Sequence, residues 1–433
     1  MRRWPLCSLG DGLSWLNNTT GLYLETVVSY LFPLITLPYL VRVLGPGPYG
    51  DLAFAQSLTA YFLMVVDYGL VVFGTREAAK VAGDGVLLGK LVTNVVAGRL
   101  ILAAALFPLS WCIAHLATSD RTAQGVIMVL YLSVVAGAFG LNWLYLAHQR
   151  MGSLALVNLL VNLAVIAGIF VVVSGPHDLL KLAWLLGLGP VAGNALGLTI
   201  GWRTFKLRLQ RPSLAEVRQL GVQGLPIFCS QTAVALYTTL NPFLVGLWSS
   251  REAVGLYAAA EKLIRALLRL VTPLWTALFP TMVQTAARSP EKLLVNARKL
   301  LLLLWVVCGA AVLVVLAAAP FLVSFLFGPT FAGAVGPLRV LSLLLVLVAT
   351  SSVLTLQILV PLGHDRLFTA VTLLGGLGNL ALAALLVPRG HALGMAWAVV
   401  LTEVVVIAAS LVALNRVLQR HDPSPRECSD AGS

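Results

Sequence analysis

Long apolar segments recur along the whole sequence, and they restrict the fold more than any other feature. Each runs for at least ~18 residues, which is enough for an α-helix to cross the ~30 Å hydrocarbon core of a bilayer. Backbone polar groups within that core must bond to one another, so only helices or a closed β-barrel can span it. The alternating pattern of barrel strands is absent from the sequence. The chain is therefore predicted to be an all-α polytopic membrane protein.

The hydropathy pattern predicts about twelve transmembrane helices joined by short connections, with no room for a sizeable soluble domain. The composition agrees, since 59% of the 433 residues are hydrophobic and only 11% are charged. Soluble globular proteins carry about 25% charged residues. The predicted spans lie near residues 22–43, 50–73, 91–113, 125–147, 154–174, 180–202, 220–247, 254–282, 299–319, 337–360, 367–387 and 392–414.

The net charge of +12 is explained by orientation in the membrane better than by nucleic-acid binding. With the N-terminus inside, 19 of the 29 Lys and Arg residues fall in cytoplasmic loops and tails, and six fall in outer loops. Cytoplasmic loops of membrane proteins carry such an excess of cations. The sequence therefore predicts a multi-pass protein of the inner (cytoplasmic) membrane with both termini in the cytoplasm. Its surroundings are membrane lipids, and no nucleic-acid partner is expected.

No motif in the sequence indicates a metal site or a cofactor. The five Cys residues are scattered, without a C-x-x-C pair or a His at metal-ligand spacing. The segment GDGVLLGKL at residues 83–91 lacks the spacing and the final Ser or Thr of a phosphate-binding P-loop. The first 20 residues lack the apolar core of a cleaved signal peptide. We expect no cofactor, no metal and no cleaved leader.

A weak internal repeat divides the sequence into two halves. Residues 49–58, YGDLAFAQSL, align with residues 254–263, VGLYAAAEKL, so that Gly50 matches Gly255 and Gln56 matches Glu261. Six spans in each half bring both halves into the membrane in the same direction, which defines a parallel repeat. We therefore predict two six-helix bundles related by a pseudo-two-fold axis, formed by residues 1–208 and residues 209–433.

The eighth predicted span combines an apolar composition with four charged residues. At about 100° per residue on a helix, Glu261, Lys262, Arg265 and Arg269 fall on one face, while leucines cover the opposite face. An Arg near the bilayer centre costs about 2.5–3.5 kcal/mol even on a lenient scale. The charged face is therefore expected to meet water or counter-charge instead of lipid.

Two interpretations of this charged face stay open. The cations either pair with acidic residues of other spans, for which Glu25, Asp67 and Glu403 are candidates, or they line a cavity that binds an anion. Arg grips phosphate through two parallel N–H groups and stays charged when desolvated. A cationic cavity would therefore suit a phosphate- or diphosphate-bearing substrate. Arg99 in the third span and Arg42 at the end of the first are candidates to extend it.

Polar side chains also share faces on other spans of both halves. One interpretation is that such residues only form hydrogen bonds between helices. The other is that they line a cavity whose hydroxyl and amide groups suit a sugar. On spans one, two and seven they are Asn18, Glu25, Ser29 and Thr36, then Gln56 and Asp67, then Ser230, Tyr237, Thr238 and Asn241.

Residues 37–80 carry the most specific pattern of the chain. They read LPYLVRVLGP, then YG, FAQSL, DYG at Asp67–Gly69 and GTRE at Gly74–Glu77. This pattern resembles the leading signature of bacterial polysaccharide repeat-unit flippases, the O-antigen and exopolysaccharide translocases. These belong to the multidrug/oligosaccharidyl-lipid/polysaccharide exporter superfamily. GLYAAAEKL in the second half is similar to that family as well, whereas Gly47 replaces a residue that is usually polar or acidic there.

The resemblance implies twelve spans in two bundles that alternate access to a central cationic cavity. It implies transport of an undecaprenyl-diphosphate-linked oligosaccharide from the cytoplasmic to the outer leaflet, with a glycan polymerase of the same pathway as a candidate partner. Arg42, Asp67 and Arg76 sit at signature positions. Glu25, Asp67 and Arg76 are candidates for ion coupling or gating. Coupling of Glu25, Asp67 or Glu261 to a proton or sodium gradient stays open beside purely structural pairing of these residues.

Two other functions stay open at this point. A membrane glycan polymerase or ligase also uses lipid-linked sugars, but it is expected to carry a large outer loop with catalytic residues, and the outer loops here are short. A cation-coupled drug exporter of the same superfamily would favour acidic residues in its cavity, whereas this charged face is rich in Arg. We therefore expect a transporter and no enzymatic activity.

Overall fold

The computed structural model describes Phe32 and residues 35–81 and 83–421. These residues form helices, and no strand occurs among them. The α-helices, in chain order, are α1 (Ile35–Leu44), α2 (Pro46–Asp67), α3 (Leu70–Lys80), α4 (Gly85–Ala117), α5 (Arg121–Ala138), α6 (Asn142–Ala147), α7 (Met151–Val172), α8 (Leu179–Phe205), α9 (Leu214–Thr238), α10 (Asn241–Trp248), α11 (Arg251–Arg288), α12 (Pro290–Phe327), α13 (Val335–Ser342), α14 (Leu344–Ser352) and α15 (Asp365–His421). Short 3-10 helices precede α8 and α13, and a π-helix, Val353–Leu359, follows α14.

The described helices confirm the all-α, multi-pass fold. Eight helical segments are long and apolar enough to cross a membrane, and α11 makes a ninth when its two parts, bent by 43°, are taken as one span. The 57 residues of α15 contain both of the last two predicted spans, which meet at His391, where φ 50° and ψ −125° interrupt the helix. With α1 and α9 added, the described helices correspond to the twelve predicted spans, and residues 22–31 and 33–34 of the first span lie outside the described residues.

The second predicted span, residues 50–73, is not one helix. Its helix α2 ends at Asp67, and the next two residues, Tyr68 (φ 48°) and Gly69 (φ 70°), are left-handed. Two successive left-handed residues interrupt the helical hydrogen-bond ladder, and Gly tolerates this conformation at little steric cost. A Cβ at Gly69 would also lie 2.8 Å from the Ile227 side chain of α9. The DYG motif is therefore a helix break that contacts the second half of the chain.

Short polar residues fix where several helices begin. Asp84 accepts hydrogen bonds from the N–H groups of Val86 (2.8 Å) and Leu87 (3.1 Å) at the start of α4. Ser250 and Ser289 accept bonds in the same way at the starts of α11 and α12. Such N-caps satisfy N–H groups that the first helical turn leaves without a partner. Asp84, part of the rejected P-loop segment, thus has a structural role.

The two halves meet where α2 packs against α11, and the glycines matched by the repeat touch there. A Cβ at Gly50 would lie 1.8 Å from the carbonyl oxygen of Arg251, and one at Gly255 would lie 2.0 Å from that of Pro46. The Arg251 Nε also lies 3.3 Å from Asp51 Oδ1. The absence of side chains lets the two backbones approach closely. Contact between equivalent residues is expected for helices related by a two-fold axis.

The chain passes from one half to the other between α8 and α9. Helix α8 ends at Phe205 and α9 begins at Leu214, so the predicted boundary between residues 208 and 209 falls in this connection. Among the helices that precede this connection in the chain, α2, α4, α5 and α8 pack with one another. Helix α9, which follows it, packs mainly against α15. The division into two domains at this boundary stays a prediction.

We predict that Gly50→Ala and Gly255→Ala each destabilise the contact between α2 and α11. Because the new methyl group would collide with backbone atoms, the helices must separate, at a cost of about 1–3 kcal/mol. Thermal unfolding of the purified protein measures the effect. Gly47→Ala is the matched control, since no atom lies within 4 Å of a Cβ there. Equal unfolding temperatures for all three variants would contradict the close contact.

Candidate substrate cavity

A cavity of about 440 Å³ lies between the two halves of the chain. Helices α1, α2, α7 and α8 contribute to its wall from the first half, and α9, α10 and α11 contribute from the second. The wall is mostly apolar, as is usual for small-molecule sites. Its polar residues are Thr36, Gln56, Ser57, Thr238, Thr239, Glu261, Lys262, Arg265 and Arg269.

All four charged residues predicted on one face of the eighth span line this cavity. Glu261, Lys262, Arg265 and Arg269 project from α11, and three cations against one carboxylate leave the wall with an excess of two positive charges. Arg269 is exposed, while Glu261 is 7% exposed. The structure thus brings the predicted cluster together at an accessible space between the bundles, and substrate binding by these residues stays a prediction.

Buried hydrogen bonds hold the Glu261 carboxylate in place. Its Oε1 accepts from the Tyr257 hydroxyl (3.1 Å), from Asn241 Nδ2 (3.1 Å) and from Arg265 Nη2 (2.7 Å). Asn241 in turn accepts from Asn379 Nδ2 at 3.0 Å, and both asparagines are fully buried. Buried polar groups with satisfied partners specify one arrangement of the surrounding helices. This network therefore joins α10, α11 and α15 behind the cavity wall.

Arg265 is oriented by the network but still lines the cavity. Its Nη2 donates to Glu261 and also to the carbonyl oxygen of Thr238 at the end of α9. The side chain remains 37% exposed. The two interpretations of the charged face therefore both describe Arg265, because it is ion-paired on its own helix and faces the space between the halves.

Lys262 connects α11 with the first half of the chain. Its Nζ donates to Gln56 Oε1 on α2 at 2.9 Å and lies 5.3 Å from the centre of the Tyr49 ring. Both contacts are with uncharged groups, so they leave the positive charge of Lys262 in place. Gln56 is the residue that the repeat matches with Glu261, so equivalent positions of α2 and α11 face the same cavity.

Arg99 and Asp67 lie away from this cavity and bind each other. Arg99 is 2% exposed, donates from Nη2 to Asp67 Oδ1 and donates from Nη1 to the carbonyl oxygen of Gly140 at 2.8 Å. The pair links α4 to the end of α2. The structure therefore does not bring Arg99 to Arg265 and Arg269, and it assigns Asp67 a partner in its own half.

The remaining predicted site residues also lie elsewhere. Arg42 is exposed and donates to the carbonyl oxygens of Phe325 and Leu326 at the end of α12, where a cation is favoured by the helix dipole. The Nε of Arg76 lies 3.4 Å from Oε1 of Glu77. Both residues line a separate open cavity of about 650 Å³ among α3, α4 and α9. Glu25 is outside the described residues.

Two buried polar residues of α15 were not predicted as part of the site. Asn379 and Thr402 are both fully buried, and the Thr402 hydroxyl donates to Asn379 Oδ1 at 3.4 Å. Asn379 is 138 positions from Asn241 in the sequence. Helical periodicity relates residues within a few turns of one another, so no local pattern could have joined them.

Comparisons with known proteins agree on the family. A family model described as "Polysaccharide biosynthesis protein" matches residues 15–286. A protein of Escherichia coli (strain K12) named "Putative O-antigen transporter" is 28% identical over 404 residues, covering 92% of this chain and 96% of that relative. A protein of Shigella dysenteriae with the same name is 24% identical over 405 residues, covering 92% and 99%.

Solved structures of low sequence identity share the fold. An inward-closed structure of the lipid II flippase MurJ superposes with a TM-score of 0.73 at 12% identity, covering 92% of this chain and 87% of that one. An inward-facing multidrug resistance transporter of the MATE family in the MOP superfamily gives 0.71 at 15% identity, covering 91% and 96%. An outward-facing MATE structure gives 0.56 at 15% identity, covering 95% and 97%.

We predict that Asp67→Asn destabilises the protein by about 3–5 kcal/mol, because it leaves the buried Arg99 charge without its partner. The double variant Asp67→Asn/Arg99→Met removes both charges and should recover most of this loss. Unfolding of the purified variants in detergent measures both effects. Glu77→Gln is the control, since it affects exposed ion pairs worth about 0–1 kcal/mol. A single variant as stable as the control would show that the pair has no structural role.

Proposed function

The chain belongs to the polysaccharide biosynthesis protein family, and we propose that it flips a lipid-linked polysaccharide repeat unit across the membrane. The substrate is an oligosaccharide on undecaprenyl diphosphate, and it moves from the cytoplasmic to the outer leaflet of the inner membrane. The relatives of this chain are named as transporters and flippases, which supports a transporter of polysaccharide and not an enzyme.

The observation that carries the proposal is the excess of two positive charges in the cavity between the bundles. A diphosphate is a compact anion, and the guanidinium groups of Arg265 and Arg269 offer the planar N–H donors that it accepts best. Cations at this depth are costly in contact with lipid. A bound anionic headgroup offsets that cost, so the substrate and the charged face stabilise each other.

The rest of the cavity wall suits the other parts of the substrate. The side chains of Gln56 and Thr239 can donate and accept, as sugar hydroxyls require. The hydroxyls of Thr36 and Ser57 donate to nearby backbone carbonyls, so they can accept from a sugar. The lipid tail stays in the bilayer while the headgroup occupies the space between the halves. A volume of about 440 Å³ is sufficient for a diphosphate and the nearest sugar, and the distal sugars extend beyond the cavity.

Alternating access is supported by contacts at both ends of α2. Near its start, Gly50 and Gly255 bring α2 against α11. Just beyond its other end, the ring of Tyr68 stacks on that of Phe228 with centroids 4.5 Å apart and planes at 15°. Gln56 lies in the cavity between these contacts. Rocking of the two bundles would open one contact while the other stays closed.

A cation-coupled drug exporter of the same superfamily is the second candidate function. It would hold a cationic drug by an excess of carboxylates, and the cavity wall has the opposite balance of charge. The proposal of a flippase also includes three features of its surroundings. These are coupling to a proton or sodium gradient, a glycan polymerase as partner, and the location of both termini in the cytoplasm. None of them changes the residues that would bind the diphosphate.

We predict that the double variant Arg265→Ala/Arg269→Ala slows translocation of a fluorescent diphosphate-linked oligosaccharide at least tenfold. Each charge-assisted hydrogen bond that is lost contributes about 1.5–3 kcal/mol. The measurement uses proteoliposomes in which an external agent quenches substrate that has reached the outer leaflet.

Arg288→Ala is the matched control, since Arg288 ends the same helix but lies in a separate surface cavity. It should leave translocation unchanged. If the double variant is inserted correctly and flips the substrate as fast as this control, the assignment of the cavity is wrong.

A further inference from the structure

Glu403 on α15 is a buried carboxyl group that the proposed mechanism does not use. The residue is 7% exposed, and its Oε2 has no hydrogen-bond partner. The Ser351 hydroxyl of α14 is its polar neighbour. An ionised carboxylate with a bare oxygen in a low-dielectric interior is strongly disfavoured. A proton on this oxygen removes the charge, so the geometry of the site favours its neutral form.

Glu403 faces a second, smaller cavity of about 170 Å³ within the C-terminal half. Side chains of α9, α11, α13, α14 and α15 form its wall, and most of them are aliphatic. Besides Glu403, the titratable or charged groups that line it are Glu261 and Arg265 of α11. The other helices contribute uncharged residues, which are Thr238 of α9, Leu341 of α13, and Leu344 and Val348 of α14. A change of charge on Glu403 therefore changes the electrostatic potential at Arg265, the cation that lines the same cavity.

Arg265 stands between this small cavity and the cavity proposed for the substrate. Thr238, Glu261 and Arg265 line both spaces. When Glu403 is neutral, Glu261 is the single carboxylate that competes with a bound anion for Arg265. When Glu403 is ionised, two carboxylates compete for it, and the positive excess counted over the residues that line the two cavities together falls from two charges to one. Proton binding and anion binding would then strengthen each other, because linkage between two sites is reciprocal.

We propose that Glu403 is a proton-binding site whose occupancy sets the affinity of the interbundle cavity for its anion. The identity of that anion as a diphosphate rests on the proposed function. The proton comes from water and binds Oε2 of Glu403, and its release leaves a carboxylate that attracts the Arg265 guanidinium toward α15. The protein would thus bind its anionic substrate more tightly with the proton in place than without it.

The first experiment tests the proton site without any substrate. Infrared spectroscopy of the protein in lipid nanodiscs detects the C=O stretch of a protonated carboxyl group at neutral pH. The wild type should show this band, and Glu403→Gln should lose the part of its intensity that belongs to residue 403. Glu252→Gln, which changes an exposed carboxylate on α11, should keep it. Identical bands in wild type and Glu403→Gln would overturn the proposal.

The second experiment tests the link to anion binding, with farnesyl diphosphate as the probe. Its dissociation constant is measured for wild type and Glu403→Gln from mildly acidic to mildly alkaline pH. The probe titrates equally in both cases, so the ratio of the two constants isolates residue 403. The ratio should be near one at acidic pH. At alkaline pH the wild type should bind roughly tenfold more weakly, within the usual range for coupled sites.

The outcomes separate this proposal from the proposed function. A ratio that does not change with pH overturns the coupling, even if the probe binds tightly. If neither protein binds the probe at any pH, the diphosphate substrate is wrong, and the infrared band still decides whether Glu403 holds a proton. Glu403→Asp, which keeps a titratable carboxyl, should retain a pH-dependent ratio, whereas a merely structural role would make it resemble Glu403→Gln.

Discussion

The cost of placing charge in a membrane interior organises the structure around α11. A helix with four charged residues within ~12 Å of its length cannot turn that face to lipid, so the face lines the space between the two bundles. Glu261 then needs a fixed position to orient Arg265, and Asn241 and Tyr257 supply it through hydrogen bonds to one carboxylate oxygen. The cavity, the pairing of the bundles and the buried network all follow from this one constraint.

Inside the first half of the chain, the free-energy cost of a charge in the membrane interior is offset in a different way. Arg99 and Asp67 form a pair within the packed helices, where each neutralises the other and Gly140 accepts a further hydrogen bond. A closed pair of this kind stabilises one arrangement of α2 and α4 but has little charge left for a ligand. Arg99 and Asp67 thus differ from the charged residues of α11, which line an accessible cavity.

Helix α2 explains why the family signature concentrates in residues 37–80. Its first turns contact α11 through Gly50, its middle contributes Gln56 to the cavity, and its end carries the DYG break that meets α9. One helix thereby takes part in contacts between the halves on both sides of the cavity and in the cavity wall itself. A substitution in α2 would affect the packing of both halves, so few residue types fit at each position of this helix.

Hydropathy and helical periodicity were sufficient to predict the multi-pass helical fold and the common face of Glu261, Lys262, Arg265 and Arg269, because each depends on residues that are near in sequence or regularly spaced. The family signature added the class of transporter. The sequence could not assign Arg99 to Asp67, Asn241 to Asn379 or Glu403 to the pocket behind Arg265. Those partners lie on different helices, and which of several acidic or polar groups meets a given cation is decided only when the helices pack.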